Sequence, residues 1–270
     1  MARTALVTGA NRGIGLEFVR QLLARGDHVV AACRNPGKAA ALNSLAGEHP
    51  GRLHVLPLDV ADAKSRARLA HELPLVLGER EDGTPGTLDL LVNNAGVLHS
   101  GERFGQVEQA MLEDSLRINA IGPFLLAQAL AHLLTDVASA AGGAVNSLPD
   151  TRSVDRTPSR ADEPKLSRTV IANISSQLGS IASTTRFGTP SYDISKSAQN
   201  MGSVLLARAL AERGILVLAL HPGWVQTEMG GAQAQVAPAD AVAGLLQVID
   251  GATQAQSGSF VDWRGEPLPW

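Results

Sequence analysis

Short apolar runs rich in β-branched residues alternate with longer amphipathic stretches, and this alternation constrains the fold more than any other feature of the chain. The apolar runs predict seven strands, at residues 5–7, 28–33, 53–58, 88–92, 169–174, 215–220 and 259–262. The stretches between them predict helices, at residues 14–25, 36–46, 63–77, 107–134, 192–213 and 238–250. Buried strands joined by helix-length connections are typical of a parallel sheet with helices on both faces. We therefore expect one α/β domain over residues 1–270, a doubly wound sandwich around a seven-stranded parallel sheet.

Composition excludes several classes of protein. The 23 basic and 26 acidic side chains give a formal net charge of −3, so the positive field that drives nucleic-acid binding is missing. The one cysteine, Cys33, cannot form an intramolecular disulfide or a cysteine-based zinc site, and the seven histidines are scattered without metal-ligand spacing. No apolar run is long enough to cross a membrane, and a strand begins almost at the first residue, where a cleavable signal would stand. We expect a soluble, cytoplasmic protein with no metal, no nucleic-acid partner and no membrane span.

One stretch breaks the alternation. Residues 139–168 are rich in Gly, Pro, Ser, Asp and Arg and poor in large apolar side chains. Such a segment buries too little surface to offset its ordering entropy, which predicts a mobile insertion in the domain. A binding tail or a phosphorylated switch is the alternative interpretation.

A glycine-rich turn follows the first predicted strand and precedes the first predicted helix. It contains Gly9, Asn11, Arg12, Gly13, Ile14 and Gly15. Glycines in a strand-turn-helix unit allow a pyrophosphate to approach the backbone, and the free N–H groups and the helix dipole favour its charge. A glycine-rich turn alone is often only a turn, but at the start of an alternating α/β chain it predicts a nucleotide site of the Rossmann type.

The end of the second strand indicates which nucleotide binds. An acidic residue there would hydrogen-bond the ribose 2′-OH of NAD, but the chain has Cys33 and Arg34. Arg34 and Arg12 together could bind a 2′-phosphate through charge-assisted hydrogen bonds, so NADP(H) is favoured over NAD(H). The alternative is that Arg34 is an ordinary surface arginine at the end of a loop.

Three motifs in this order resemble the short-chain dehydrogenase/reductase family: the glycine-rich turn, Asn93-Asn94-Ala95-Gly96 and Tyr192-x-x-x-Lys196. The stretch from His221 to Gly231 and the ending 265–270 resemble the C-factor and Sniffer-like carbonyl reductase branch. The resemblance covers nearly everything outside residues 139–168. It implies a cofactor contact at Asp59, with Val60 beside it, unless Asp59 only caps the next helix. Further cofactor contacts implied by the resemblance are Asn93, Ala95, Gly96, Tyr192, Lys196, Pro222, Gly223, Val225 and Thr227.

The spacing of Tyr192 and Lys196 places both side chains on one face of a helix. A free tyrosine, with a pKa of about 10, exchanges protons poorly at neutral pH, but a nearby ammonium and an oxidised nicotinamide favour the phenolate. Tyr192 is then suited to protonate a carbonyl oxygen or to deprotonate an alcohol. The family resemblance also assigns Lys196 to the cofactor ribose.

The resemblance implies two further catalytic residues, each with an alternative. The substrate-polarising serine corresponds best to Ser176, with Ser175 as the other candidate, because residues 180–190 lengthen the interval to Tyr192. Asn119 matches a helix asparagine that holds a water between the lysine and solvent, although a purely structural hydrogen bond would serve a buried amide equally.

These features predict an NADPH-dependent oxidoreductase that transfers hydride between nicotinamide and a carbonyl or alcohol. A C-factor-like signalling protein that binds the cofactor with little turnover is the alternative. Family habit implies a homo-oligomer formed through the predicted helices at 107–134 and 192–213. The residues expected to rim the pocket, unless they only pack internally, are largely apolar and favour a lipophilic small-molecule substrate: Leu98, His99, Leu178, Trp224 and Met229.

Overall fold

The computed structural model describes residues 2–79, 83–135 and 169–270. The strands are β1 Thr4–Thr8, β2 His28–Cys33, β3 Leu53–Pro57, β4 Leu90–Asn93, β5 Val170–Ile174, β6 Leu216–His221 and β7 Phe260–Asp262. They form a seven-stranded sheet in the order β3-β2-β1-β4-β5-β6-β7, and every neighbouring pair is parallel. The predicted doubly wound α/β architecture is confirmed.

The helices cover both faces of this sheet. Their bounds are α1 Gly13–Ala24, α2 Ala40–Glu48, α3 Ala63–Leu77, α4 Gln109–Leu116, α5 Gly122–Leu130, α6 Pro190–Ala209 and α7 Pro238–Gly251. One buried apolar cluster joins α1, α2 and α7 to one face, with Phe18 and Leu245 among its members. A second cluster joins α3, α5 and α6 to the other face, with Leu73 and Leu126 among its members. The helices of these two clusters bury apolar side chains against the sheet, so the alternation of the sequence becomes three layers.

The long helix predicted at 107–134 is interrupted. A π-helical turn at Arg117–Ile121 separates α4 from α5. Pro123 lies four residues after Asn119, so it has no N–H to donate to the Asn119 carbonyl, and its ring crowds that oxygen. The widened turn accommodates this proline, and single π turns of this kind occur frequently at functional sites.

The two edges of the sheet have different contents. The turns after β1 to β6 lie at the carboxyl edge, because all strands are parallel. At the opposite edge the Thr169 hydroxyl, just before β5, donates to the Thr135 carbonyl at 2.9 Å. The insertion predicted at 139–168 lies outside the described residues, between these two threonines. In the part of the chain that is described, no helix is both long and apolar enough to cross a bilayer.

Candidate active site

The glycine-rich turn packs directly against the turn that follows β4. Gly9 and Gly13 have φ values of +62° and +54°, a left-handed conformation that favours glycine. A Cβ at Gly9 would lie 2.9 Å from the Ala95 Cα, and one at Gly15 would collide with the Gly9 carbonyl. The Asn94 side chain fixes this contact by donating to the carbonyls of Thr8 and Gly9 at 2.9 and 3.2 Å. Neither Gly9 nor Gly15 leaves room for a side chain.

The two arginines predicted to select the cofactor are exposed. Arg34 stands at the end of β2 without an ion pair to any residue that the structure describes. Arg12, in the glycine-rich turn beside Asn11 and Ile14, forms an ion pair with Glu228 from the loop after β6. Both guanidiniums therefore lie at the carboxyl edge, at the ends of neighbouring strands.

Asp59 follows β3 at the same edge. Its Oδ1 accepts from the Ala61 N–H at 2.9 Å, so it forms a local turn. The N-cap of α3 is Asp62, whose carboxylate accepts from the Ser65 N–H at 2.7 Å. Asp59 is therefore not the cap of this helix, and neighbouring Val60 is buried.

The last residue of β4 and the residues after it have different surroundings. The Asn93 side chain is buried in the sheet and donates to Asn173 Oδ1 at 2.8 Å. Gly96, two residues beyond Asn94, adjoins the catalytic candidates: a Cβ there would lie 3.2 Å from Asn119 Oδ1 and 3.9 Å from Lys196 Nζ. This glycine keeps the backbone close to both side chains.

Tyr192 lies in the first turn of α6, with the side chain of Ser176 beside its hydroxyl. Burial raises the pKa of Tyr192 to about 12, an effect that the Ser176 side chain opposes. The other serine, Ser175, donates its hydroxyl to Asn200 Oδ1 at 2.6 Å. Of the two candidate serines, Ser176 is the one whose side chain affects the pKa of Tyr192.

Lys196 lies one turn after Tyr192 and is fully enclosed. Its Nζ donates to the Ile174 carbonyl at 2.8 Å and to Gln199 Oε1 at 2.9 Å, and it lies 5.6 Å from the centroid of the Tyr192 ring. Burial lowers the pKa of Lys196 to about 7. The ammonium is thus close to the phenol and close to losing its proton at neutral pH.

Asn119 lies in the π turn with its side chain fully bonded. Its Nδ2 donates to the Val97 carbonyl and to Ser195 Oγ, both at 2.9 Å, and its Oδ1 accepts from the Val97 N–H at 2.8 Å. The amide therefore ties α6 and the turn after β4 together. The Asn119 carbonyl cannot accept from residue 123 as in a regular α-helix, because Pro123 has no N–H.

The loop after β6 closes on the glycine-rich turn. Pro222 and Val225 are buried, and Gly223 has a φ of +82° where a Cβ would meet Trp263 Nε1 at 3.0 Å. A Cβ at Gly13 would lie 3.3 Å from Thr227 Cγ2. The predicted cofactor residues of this loop thus stand beside the glycine-rich turn.

Three residues of the site escaped the sequence analysis. Asn94 braces the glycine-rich turn, and Gln199 binds the lysine. Glu102 is buried, and its Oε2 accepts from the Ser191 hydroxyl at 2.8 Å and the Ser191 N–H at 3.3 Å, which caps α6 just before Tyr192. The i, i+3 spacing of Lys196 and Gln199 was a readable signal, whereas Glu102 and Ser191 are too distant in sequence to pair by inspection.

Apolar side chains stand exposed around the site. Leu178, Trp224 and Met229 are 45%, 52% and 47% exposed, whereas Leu98 is partly buried. His99 Nε2 lies 3.2 Å from Asp114 Oδ2. No group of metal-ligating side chains occurs in residues 2–79, 83–135 and 169–270.

The described residues fit a dinucleotide. Gly9, Gly13 and Gly15 leave the backbone bare at the N-terminus of α1, where N–H groups and the helix dipole favour phosphate. The first turn of this helix has no acidic side chain to repel it. Arg12 and Arg34 add positive charge at the same edge. The Lys196 ammonium donates to two acceptors among the described residues, which leaves its third N–H for a ligand.

Comparison with known proteins gives consistent results. The family model for short chain dehydrogenase matches residues 3–147 and 162–237. The C-signal of Myxococcus xanthus is 35% identical over 68% of this chain and 94% of its own length. The 1-hydroxy-2-glutathionyl-2-methyl-3-butene dehydrogenase of Rhodococcus sp. (strain AD45) is 30% identical over 99% of both chains.

Two solved structures are similar over their whole length. The carbonyl reductase Sniffer of D. melanogaster superposes with a TM-score of 0.85 at 32% identity, covering 100% of both chains. The NADPH-bound carbonyl reductase from chicken fatty liver has a TM-score of 0.82 at 34% identity, covering 100% of this chain and 99% of its own.

Proposed function

The chain belongs to the short-chain dehydrogenase family and is an oxidoreductase, and on that basis we propose that it reduces small carbonyl compounds with NADPH or oxidises the corresponding alcohols. The observation that carries the proposal is the arrangement around Tyr192: the Ser176 side chain lies where it favours the phenolate, and the Lys196 ammonium lies 5.6 Å from the ring centroid. A bound nicotinamide would supply or accept the hydride. The residues of this chain would handle the oxygen of the substrate and its proton.

The proposed roles follow from the contacts. Ser176 can donate a hydrogen bond to the substrate oxygen while Tyr192 gives that oxygen its proton. Burial makes Tyr192 a weaker acid than a free tyrosine, because it raises the pKa to about 12. The neighbouring ammonium favours the phenolate and opposes this effect, so Tyr192 and Lys196 act as a unit. The Asn119 carbonyl would hold the water through which Lys196 regains a proton.

We assign the cofactor contacts to the carboxyl edge of the sheet. Arg12 and Arg34 are proposed to bind the 2′-phosphate, and Asp59 with Val60 to lie beside the adenine. Asn93, Ala95 and Gly96 would line the adenosine side, Asn93 through its backbone, since its side chain is buried against Asn173. The remaining proposed contacts are Gly9, Asn11, Gly13, Ile14, Gly15, Tyr192, Lys196, Pro222, Gly223, Val225 and Thr227.

The surroundings of the site support a lipophilic substrate and self-association. Leu178, Trp224 and Met229 present apolar surface near the catalytic side chains.

On α6, Ile194, Met201 and Leu205 are 49%, 61% and 51% exposed and form an apolar strip, which we propose pairs with a second copy of the chain. A buried free thiol at Cys33 is compatible with the cytoplasm as the proposed location. The alternative of cofactor binding without turnover is not favoured, because the similar proteins include a dehydrogenase and carbonyl reductases.

The proposal is tested by following NADPH consumption with a panel of ketones and aldehydes. Ser176→Ala should lower kcat about a hundredfold, as deletion of a donor to a reacting oxygen does. Ser175→Ala is the matched control, since the same hydroxyl is lost one residue away and its partner is Asn200. A panel with no turnover by a protein that binds NADPH would contradict the proposed function. A larger loss in Ser175→Ala would reassign the polarising serine.

A further inference from the structure

Gln199 places a buried amide against the catalytic lysine. It lies one turn after Lys196 on α6, is 3% exposed, and accepts from Lys196 Nζ through Oε1 at 2.9 Å. Among the described residues, the only other hydrogen bond of this ammonium goes to the Ile174 carbonyl at 2.8 Å. Gln199 is therefore the one side chain that holds the lysine head group within the described residues.

The rest of the amide has little to bind. Gln199 Nε2 is buried with no hydrogen-bond partner in the part of the chain that the structure describes. It adjoins a cavity of about 10 Å³, lined also by Pro123, Phe124 and Leu206, which has room for about one water. A half-satisfied buried amide is costly, and an apolar side chain of similar size would avoid that cost. The contact that accounts for a glutamine here is the one with Lys196.

The Gln199 backbone is itself fixed. Its carbonyl accepts from Ser203 Oγ at 2.9 Å, and Ser203 accepts from Asn173 Nδ2 at 2.8 Å. Asn173 in turn accepts from Asn93 at 2.8 Å, so the chain of bonds crosses from α6 into β5 and β4. Gln199 is thus anchored to the centre of the sheet, and its side chain has a defined position relative to Lys196.

The surroundings of Lys196 contain no carboxylate partner among the described residues. The titratable groups on its own helix are Tyr192, Asp193 and Arg208; Tyr192 faces the ammonium, whereas the Asp193 carboxylate accepts from the Thr189 hydroxyl at 2.8 Å. Strand β5 contributes the Ile174 carbonyl. The turn after β4 and the π turn contribute Gly96 and the neutral amide of Asn119. Only neutral acceptors therefore oppose the effect of burial on the ammonium.

We propose that Gln199 is a positioning residue for Lys196: its Oε1 stabilises the ammonium in the charged form and directs it beside Tyr192. Because burial brings the pKa of Lys196 to about 7, the loss or gain of one acceptor would change how much of the lysine is charged at neutral pH. The consequence for turnover rests on the proposed function, whereas the effect on the lysine itself does not.

The direct test is an NMR titration of the cofactor-free protein with lysine labelled at the ε-carbon. The chain has four lysines, Lys38, Lys64, Lys165 and Lys196, so each signal can be assigned by substitution. Gln199→Leu removes the acceptor and should lower the pKa of Lys196 by roughly one unit. Gln199→Glu adds an anion in the same place and should raise it by a similar amount.

Asn200→Leu is the matched control. It removes a neighbouring buried amide on α6 that binds Ser175 and Gly179 rather than Lys196. The control should leave the Lys196 titration where the wild type has it. If Gln199→Leu does not fold, Gln199→Met supplies the loss of the acceptor and Gln199→Glu the opposite shift. A Lys196 pKa that is the same in wild type, the Glu variant and either apolar variant would overturn the proposal.

A second readout is the alkaline limb of the pH profile of kcat/KM for carbonyl reduction. The limb should move to lower pH in Gln199→Leu and to higher pH in Gln199→Glu, which a merely structural residue would not produce. Lys196→Met separates the two proposals. Wild-type turnover in Lys196→Met would contradict the proposed function, whereas loss of turnover there with an unmoved limb in both Gln199 variants would contradict only the inference on Gln199.

Discussion

At the turns after β1 and β2 the charged side chains Arg12 and Arg34 stand in solvent, whereas on α6 the side chains of Tyr192 and Lys196 are enclosed by protein. Water screens these guanidiniums and also the exposed ion pair of Arg12 with Glu228, so each arginine interacts weakly with its surroundings and distinguishes ligands by charge. Burial raises the pKa of Tyr192 and lowers that of Lys196, so the protonation of the second pair depends on the protein around it. From this difference we expect that substituting one arginine changes the preference between the two cofactors. Proton transfer, in contrast, should depend on Tyr192, Lys196 and their neighbours together.

The largest effect is expected at the enclosed pair. Tyr192→Phe keeps the ring and its packing but removes the hydroxyl, which is proposed to carry the proton. Turnover should fall on the order of a hundredfold or more, as expected when a general acid is deleted. Steady-state kinetics with NADPH would measure the loss, and fluorescence titration would check that NADPH still binds. Turnover at the wild-type rate would show that the enclosed region does not carry the proton.

A smaller effect is expected at the exposed pair. Arg34→Asp replaces a cation by an anion and should weaken NADPH binding relative to NADH by at least tenfold, about 1.4 kcal/mol. The dissociation constants of both cofactors, measured in wild type and variant, give this ratio. Lys38→Asp is the matched control, because the same charge change falls in the following 3-10 turn. Equal weakening of both cofactors by Arg34→Asp would remove the 2′-phosphate assignment.

The smallest effect is expected far from both regions. Thr135 and Thr169 flank the predicted insertion and are joined by a hydrogen bond of 2.9 Å at the edge of the sheet opposite the site. Replacing residues 139–167 by a short Gly/Ser linker should leave kcat and the KM for NADPH nearly unchanged, and stability little altered, because loop-closure entropy varies slowly with length. A large fall in kcat in a folded variant that binds NADPH would show that this segment is needed for catalysis.

The alternation of apolar and amphipathic stretches was enough to predict the sheet, whereas the cofactor contact predicted at the glycine-rich turn stays a prediction. The predicted helix at 107–134 was wrong in its continuity, because Pro123 acts through the Asn119 carbonyl four residues earlier, a local relation that periodicity does not detect. The choice of Ser176 over Ser175 stays a prediction, which the path of the chain after β5 supports because the Ser175 hydroxyl donates to Asn200. The contact of Asn93 with Asn173 likewise depends on the register of β4 against β5.

The buried phenol of Tyr192 also gives this protein a spectroscopic property. Tyr192 is the only tyrosine among its 270 residues, and the three tryptophans do not ionise. The ultraviolet band of tyrosinate therefore reports one residue, without labelling and without correction for other tyrosines. With a pKa raised to about 12, this band should be absent from the cofactor-free protein at neutral pH, and its growth would show directly when the phenol gives up its proton.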